Sequence, residues 1–172
     1  MSTIIEIAGK RLLGTEEVSL DDRGRVQLTA KKAAALTEEF ACVLRPENCL
    51  TIFPAWRWNQ VVNQLLGGAA FDPKREQMLR QFFGRAEEGL SIDSQGRMLL
   101  PARSRLQLKL LAGEKLTVVG LGGSMDVWRT SDWEEFQKYP DAYRKAERDQ
   151  FQTLWDELAA RDAAAAAREA QA

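Results

Sequence analysis

A nine-residue segment that combines a turn signal with basic side chains occurs twice in the chain. Residues 20–28 read Leu-Asp-Asp-Arg-Gly-Arg-Val-Gln-Leu, and residues 92–100 read Ile-Asp-Ser-Gln-Gly-Arg-Met-Leu-Leu. The shared pattern is Asp-x-x-Gly-Arg, and the offset between the copies is 72 residues. Guanidinium groups form paired hydrogen bonds with phosphate oxygens and with the edge of guanine. The repeated arginine therefore indicates nucleic-acid binding.

The candidate DNA-binding residues are the basic side chains in and just after the two segments. They are Arg23, Arg25, Lys31 and Lys32 in the first copy, and Arg97, Arg103 and Arg105 in the second. Two Asp–Gly pairs are assigned to shaping the turns, because Asp hydrogen-bonds within its own turn and Gly adopts positive φ. These pairs are Asp21 with Gly24, and Asp93 with Gly96. An alternative stays open: each Asp pairs with the Arg of its own turn, and the pair only holds that turn.

Nothing in the sequence favours catalysis. The chain has no histidine, which is the commonest general base. Cys42 and Cys49 have no evident activating partner, so we expect both to be buried in the core. No phosphate loop, dinucleotide-binding fingerprint or metal motif is present. The sequence therefore predicts a protein that is not an enzyme and uses no metal or cofactor.

The charge is unevenly distributed along the chain. The net charge is −1, but residues 1–113 carry +3 and residues 114–172 carry −4. Local patches, rather than the total, set the field that a ligand meets. No apolar run approaches the roughly 18 residues of a membrane span, and the first residues lack the pattern of a secretion signal. We therefore expect a cytoplasmic protein with no membrane partner.

The elements that must position the basic residues follow the same order in both halves. Each Asp-x-x-Gly-Arg is predicted to be a tight turn between two strands, followed by a short helix, a hairpin and another helix. After the hairpins the offset becomes 75, which aligns Phe53 with Trp128 and Trp58 with Trp133. The predicted fold class is α+β, β-rich, with two pseudo-symmetric modules, residues 15–59 and 87–133. Modules of about 45 residues are too small for separate cores, so they must pack together.

Two further segments complete the predicted organisation. Residues 60–86 form a helical connector, and residues 134–172 form a C-terminal helix with an Ala-rich tail. The helix carries an apolar stripe with helical spacing, formed by Tyr143, Phe151, Leu154, Trp155 and Leu158. The stripe either docks on the body of the same chain or contacts a partner.

The duplicated turn, with a short apolar strand and a helix after each copy, resembles the MraZ family of bacterial transcriptional regulators. The similarity extends over residues 48–54 with Trp58, over residues 82–86, and over residues 118–128 with Trp133. This resemblance implies AbrB-like modules with interleaved hairpins. The family hallmark maps onto Asp21, Arg25, Asp93 and Arg97.

The resemblance also implies a biological role. It implies a homo-oligomeric ring that binds double-stranded DNA at repeated promoter sites and represses its own cell division and wall gene cluster. The protein would then be associated with the nucleoid. The first copy departs from the family pattern, with Thr29 where Pro is usual and Ala33 where Arg is usual. We therefore expect weaker DNA contact from the first copy.

A second hypothesis belongs to another functional class. The chain would be an oligomeric interaction scaffold, or an antitoxin-like module, whose C-terminal helix holds a protein partner. The acidic end of the chain and the altered first copy favour this hypothesis. The fusion of two modules in one chain argues against the antitoxin version.

Overall fold

The computed structural model describes residues 11–67, 71–140 and 145–171. Within these ranges the strands are β1 (Thr15–Ser19), β2 (Arg25–Gln27), β3 (Phe40–Leu44), β4 (Leu50–Phe53), β5 (Ala86–Leu90), β6 (Arg97–Leu99), β7 (Lys115–Gly120) and β8 (Met125–Arg129). The helices are α1 (Ala30–Ala34), α2 (Ala55–Leu66), α3 (Pro73–Phe83), α4 (Ala102–Gln107), α5 (Thr130–Lys138) and α6 (Lys145–Gln171). None of these described helices combines the length and the apolar character needed to cross a bilayer.

Six strands form one antiparallel sheet in the order β1-β7-β8-β4-β3-β5. Its central pair is β4 and β8, in which Thr51 lies opposite Asp126. These two residues occupy the same place in the two copies, since 75 residues separate them. A pseudo-twofold axis therefore passes between them.

The two halves exchange strands across this axis. Strand β1, from the first half, pairs with β7 of the second half, and β5 of the second half pairs with β3 of the first. Strands β2 and β6 leave the main sheet and pair with each other as a two-stranded ribbon. The predicted α+β fold with two repeats and a C-terminal helix is confirmed, and the strand exchange is the interleaving that the resemblance implied.

The two faces of the sheet cover separate apolar cores, because alternate residues of a strand point to opposite faces. On β3, Phe40 and Cys42 face the core beneath the ribbon, while Ala41 and Val43 face the core beneath the helices. Val26 of β2 and Met98 of β6 are fully buried in the ribbon-side core. The ribbon is therefore fastened to the sheet by apolar contacts on its inner side.

Both cysteines are buried and unpaired, as predicted. Burial raises the pKa of the Cys42 thiol to about 12. Thiols in this state are poor nucleophiles, which is consistent with a packing role.

The C-terminal helix α6 docks on the body of the chain. Leu154 and Leu158 are buried in the helix-side core with Met78 and Phe82 of α3. Polar contacts flank this seam, including an ion pair of 2.6 Å between Lys74 Nζ and Glu157 Oε2. Leu154 and Leu158 of the predicted stripe are thus covered from within the chain, Phe151 and Trp155 are half-buried, and Tyr143 lies outside the described residues.

Candidate nucleic-acid interface

The first Asp-x-x-Gly-Arg turn is closed by its own aspartate. Asp21 Oδ1 accepts hydrogen bonds from the backbone N–H groups of Arg23 (2.9 Å) and Arg25 (2.8 Å). Asp21 Oδ2 accepts from Arg25 Nε at 2.8 Å. Gly24 has a φ of 81°, a conformation that costs other residues free energy, and it donates its N–H to the Asp21 carbonyl.

The second turn repeats these contacts. Asp93 Oδ1 accepts from the backbone N–H groups of Gln95 and Arg97, both at 2.9 Å, and Asp93 Oδ2 accepts from Arg97 Nε at 2.7 Å. Gly96 has a φ of 76°. In both turns the pKa of the aspartate is lowered chiefly by the hydrogen bond from the backbone N–H of the arginine. Each carboxylate is therefore held in its ionised form.

The internal Asp–Arg pair leaves part of each arginine available. Arg25 and Arg97 use only Nε in the turn, and their Nη atoms make no hydrogen bond to any residue the structure describes. Their side chains remain 22% and 30% exposed. The pair therefore holds the turn, and the outer edge of the guanidinium is still able to bind a phosphate or a base.

Each turn is fastened by the strand end of the other copy. The backbone N–H of Leu100, just after β6, donates to the carbonyl of Gly24 at 2.9 Å. In the symmetric position, the N–H of Leu28 donates to the carbonyl of Gly96 at 3.1 Å. The ribbon and these two bonds hold the turns together as one unit.

What lies against the glycine differs between the turns. The guanidinium of Arg105, from the second copy, lies directly against Gly24, so a Cβ at position 24 would collide with it. Arg105 Nε also donates to the Leu100 carbonyl at 3.0 Å. The residue equivalent to Arg105 is Ala33, and its methyl group lies near Gly96.

Gln27 occupies part of the space that an arginine at position 33 would fill. Its Nε2 donates to the Gln95 carbonyl at 2.8 Å and to the Leu28 carbonyl at 3.2 Å. The bond to Leu28 matches the bond that Arg105 makes to Leu100. Sequence reasoning missed Gln27, although the 72-residue alignment already showed that only one copy has Arg at this place.

The structure divides the seven predicted DNA-binding residues into three groups. Arg23, Lys31 and Arg103 are exposed, and Arg25, Arg97 and Arg105 are half-buried. Lys32 is buried, where its Nζ donates to the Leu13 carbonyl at 3.0 Å and lies 3.2 Å from Glu16. Lys32 therefore joins β1 to α1 and does not present its charge to solvent.

The guanidinium groups are concentrated at the first turn. Arg23, Arg25 and Arg105 lie on or against it, with Asp22 as an exposed opposing charge. The second turn has only Arg97, because Gln95 and Ala33 replace the other two positions. The strand exchange thus moves a cation from the second copy to the turn of the first.

Comparison with known proteins identifies relatives over most of the chain. A family model described as "MraZ protein, putative antitoxin-like" matches residues 12–81 and again residues 82–156. A protein of Thermus thermophilus is 29% identical over 120 residues, covering 70% of this chain and 83% of the relative. A protein of Kocuria rhizophila is 30% identical over 130 residues (76% and 89%), and one of Chromobacterium violaceum is 32% identical over 126 residues (70% and 82%). All three relatives are named transcriptional regulator MraZ.

Proposed function

The chain belongs to the MraZ family, and on this premise we propose that it is a bacterial DNA-binding transcriptional regulator. The observation that carries the proposal is the pair of linked turns with accessible basic side chains. These side chains are Arg23, Arg25, Lys31, Arg97, Arg103 and Arg105. Lys32 is not included, because its ammonium group is buried against Glu16.

The turns have the properties that a DNA contact requires. Their backbone is fixed by the Asp side chain and by the other copy, so little ordering is needed on binding. Phosphate contacts position a protein on DNA, and contacts to base edges give sequence preference. Arginines held at one end and exposed at the other suit both kinds of contact.

The finer role rests on the family resemblance. We propose a homo-oligomeric ring that binds repeated sites in double-stranded DNA upstream of its own cell division and wall gene cluster and represses it. The protein would act in the cytoplasm, on the nucleoid. Each chain would supply two modules, residues 15–59 and 87–133, joined by residues 60–86. Several chains in one ring would add weak contacts through avidity.

The packing of α6 favours this proposal over an interaction scaffold. The scaffold hypothesis needs an exposed apolar stripe on the C-terminal helix. Leu154 and Leu158 of that stripe are instead buried against α3. A partner would have to displace α6 to reach them.

Fluorescence anisotropy with labelled DNA tests the proposal. The purified protein is titrated into DNA from upstream of its own gene, and into scrambled DNA, over a salt series. We expect a preference for the upstream DNA, and at least a tenfold loss of affinity in Arg25→Ala/Arg97→Ala, since phosphate contacts dominate such binding. Unchanged affinity in this variant contradicts the proposal.

Two matched variants keep the test clear of folding effects. Lys31→Ala/Arg103→Ala removes two charges without touching the turns, and we expect the log–log salt slope to fall by about 1.8. Lys138→Ala/Arg168→Ala removes two exposed charges from α5 and α6 and is expected to leave the slope unchanged. Equal slopes in the two variants would show that Lys31 and Arg103, on the helices that follow the turns, make no DNA contact.

A further inference from the structure

A cavity of about 540 Å³ opens on the helix side of the sheet, over the pseudo-twofold axis. Alternate residues of the central strands form its floor, including Thr51 of β4 and Asp126 of β8. Helices α2, α5 and α6 contribute to its walls. A volume of about 300–1,000 Å³ is typical of sites for small molecules. No residue of the two DNA-binding turns lines this cavity.

The walls of the cavity are aromatic. Its rings belong to Phe53, Phe82, Trp128, Trp133, Phe136, Phe151 and Trp155. Part of this lining already binds a flat cation, because the Arg45 guanidinium lies 5.9 Å from the Phe82 ring centre and 5.3 Å from that of Phe151. The negative face of an aromatic ring attracts such cations.

The cavity contains two carboxylates that accept few hydrogen bonds from the protein. Asp126 Oδ1 accepts from Thr51 Oγ1 at 2.8 Å, and Glu47 Oε2 is buried with no hydrogen bond to a described residue. Burial, reinforced by Glu47, raises the pKa of Asp126, while Thr51 and Arg45 oppose the rise. A buried carboxylate without partners costs free energy, which a cationic donor would recover.

Three other polar side chains at the cavity have unused hydrogen-bonding capacity. Trp128 is 3% exposed, and its Nε1 lies near enough to lower the pKa of Asp126 but not in hydrogen-bond geometry with any described acceptor. Arg45 and Arg57 also line the cavity, and neither forms an ion pair with a described residue. Arg57 Nη1 donates to Gln60 instead, at 3.0 Å.

We propose that this cavity binds a small planar organic cation, such as an aromatic amidinium or guanidinium compound. The charged group would donate to Asp126 and Glu47, and the flat body would lie among the tryptophan and phenylalanine rings. The site is separate from the proposed DNA contact, so this assignment does not depend on the regulatory function. It would give the protein a small-molecule ligand at its pseudo-twofold axis.

Benzamidine and benzamide are the probes, because they share size and shape and differ in charge. Binding to the full chain is followed through the indole N–H signals of the five tryptophans in ¹H–¹⁵N spectra. We expect benzamidine to shift the Trp128 signal and to bind at least tenfold more tightly than benzamide. Asp126→Asn should weaken benzamidine at least fivefold and leave benzamide unchanged. Glu135→Gln, an exposed carboxylate on α5 outside the cavity, should alter neither.

Three results overturn the proposal. They are equal affinities for the two probes, no shift up to about 10 mM benzamidine, and an Asp126→Asn protein that binds benzamidine as the parent does. If Asp126→Asn does not fold, Glu47→Gln replaces it with the same expectation. A second copy of the chain is the competing occupant. If a second copy fills the cavity, the probes should not bind and the Trp128 signal should change on dilution. That outcome also overturns the proposal.

Discussion

The two Asp-x-x-Gly-Arg turns share their internal hydrogen bonds and differ in their surroundings. In each turn one carboxylate accepts two backbone N–H groups and the arginine Nε, with distances that agree within 0.1 Å. Outside the turn, Gly24 is covered by a guanidinium and Gly96 by a methyl group and an amide. The backbone geometry has been kept in both copies, while the charge around it has not.

This difference assigns separate tasks to the residues of the motif. Asp and Gly set the backbone, and they are the same in both turns. The basic residues that surround the turns differ between the copies, so one chain carries two turns of unequal charge. We propose that the first turn makes the stronger DNA contact, since Arg23 and Arg105 join Arg25 there.

The largest expected effect comes from adding a methyl group at each glycine. Gly24→Ala should cost about 2 kcal/mol of unfolding free energy, from positive φ and from displacing the Arg105 side chain with its hydrogen bond. Gly96→Ala should cost about 1 kcal/mol, because only its φ is unfavourable. Urea unfolding of both variants measures the difference. Equal costs would show that Arg105 is not seated against Gly24.

Replacing the aspartate should have a smaller effect on stability, and that effect should be the same in both turns. A lowered aspartate pKa gives stability above the ordinary value of 3.8, and that stability is lost as the pH falls through the lower folded pKa. Asp21→Asn and Asp93→Asn should each lower the urea midpoint at pH 7, and the deficit should shrink below pH 3.8 and vanish once the pH is below the lowered pKa of the folded state. Urea midpoints over a pH series test this. Unequal deficits at pH 7 would mean that the two turns are not equivalent internally.

The smallest expected effect is a change in the salt dependence of DNA binding when the charge beside one of the two glycines is altered. Ala33→Arg should place a guanidinium near Gly96 and raise the log–log salt slope of DNA binding by about 0.9, and Arg105→Ala should lower it by the same amount. Ala163→Arg, at an exposed site on α6, adds the same charge away from the turns and should leave the slope unchanged. If Ala33→Arg behaves like Ala163→Arg, the second turn does not contact DNA.

The local elements were predictable because their signals are local. The apolar residues between positions 55 and 66 have helical spacing, and α2 has those bounds. Residues 115–120 include a run of β-branched residues, which favours a strand, and they form β7. Thr29 is of a residue type that caps helices, and its side chain accepts from the Lys32 N–H at 3.5 Å at the start of α1.

The contacts between separate elements were not predictable in the same way. The sequence predicts a strand before the first turn, but it does not identify β7 as the partner of β1. Lys32 looked like a surface cation because its ion-pair partner, Glu16, comes from β1. The sequence shows that position 33 lacks an arginine, but it does not show that Arg105 of the second copy lies against Gly24.

The pairing of β1 with β7 also bears on how the protein is made. Thr15 pairs with Val119, about a hundred residues later in the chain. At roughly 5–20 residues per second, a ribosome needs about 5–20 s to synthesise the missing partner. During that time β1 has no strand to pair with, and the apolar core beside it is incomplete. The nascent chain therefore passes through a period in which chaperone binding, or pairing with another nascent chain, competes with its own fold.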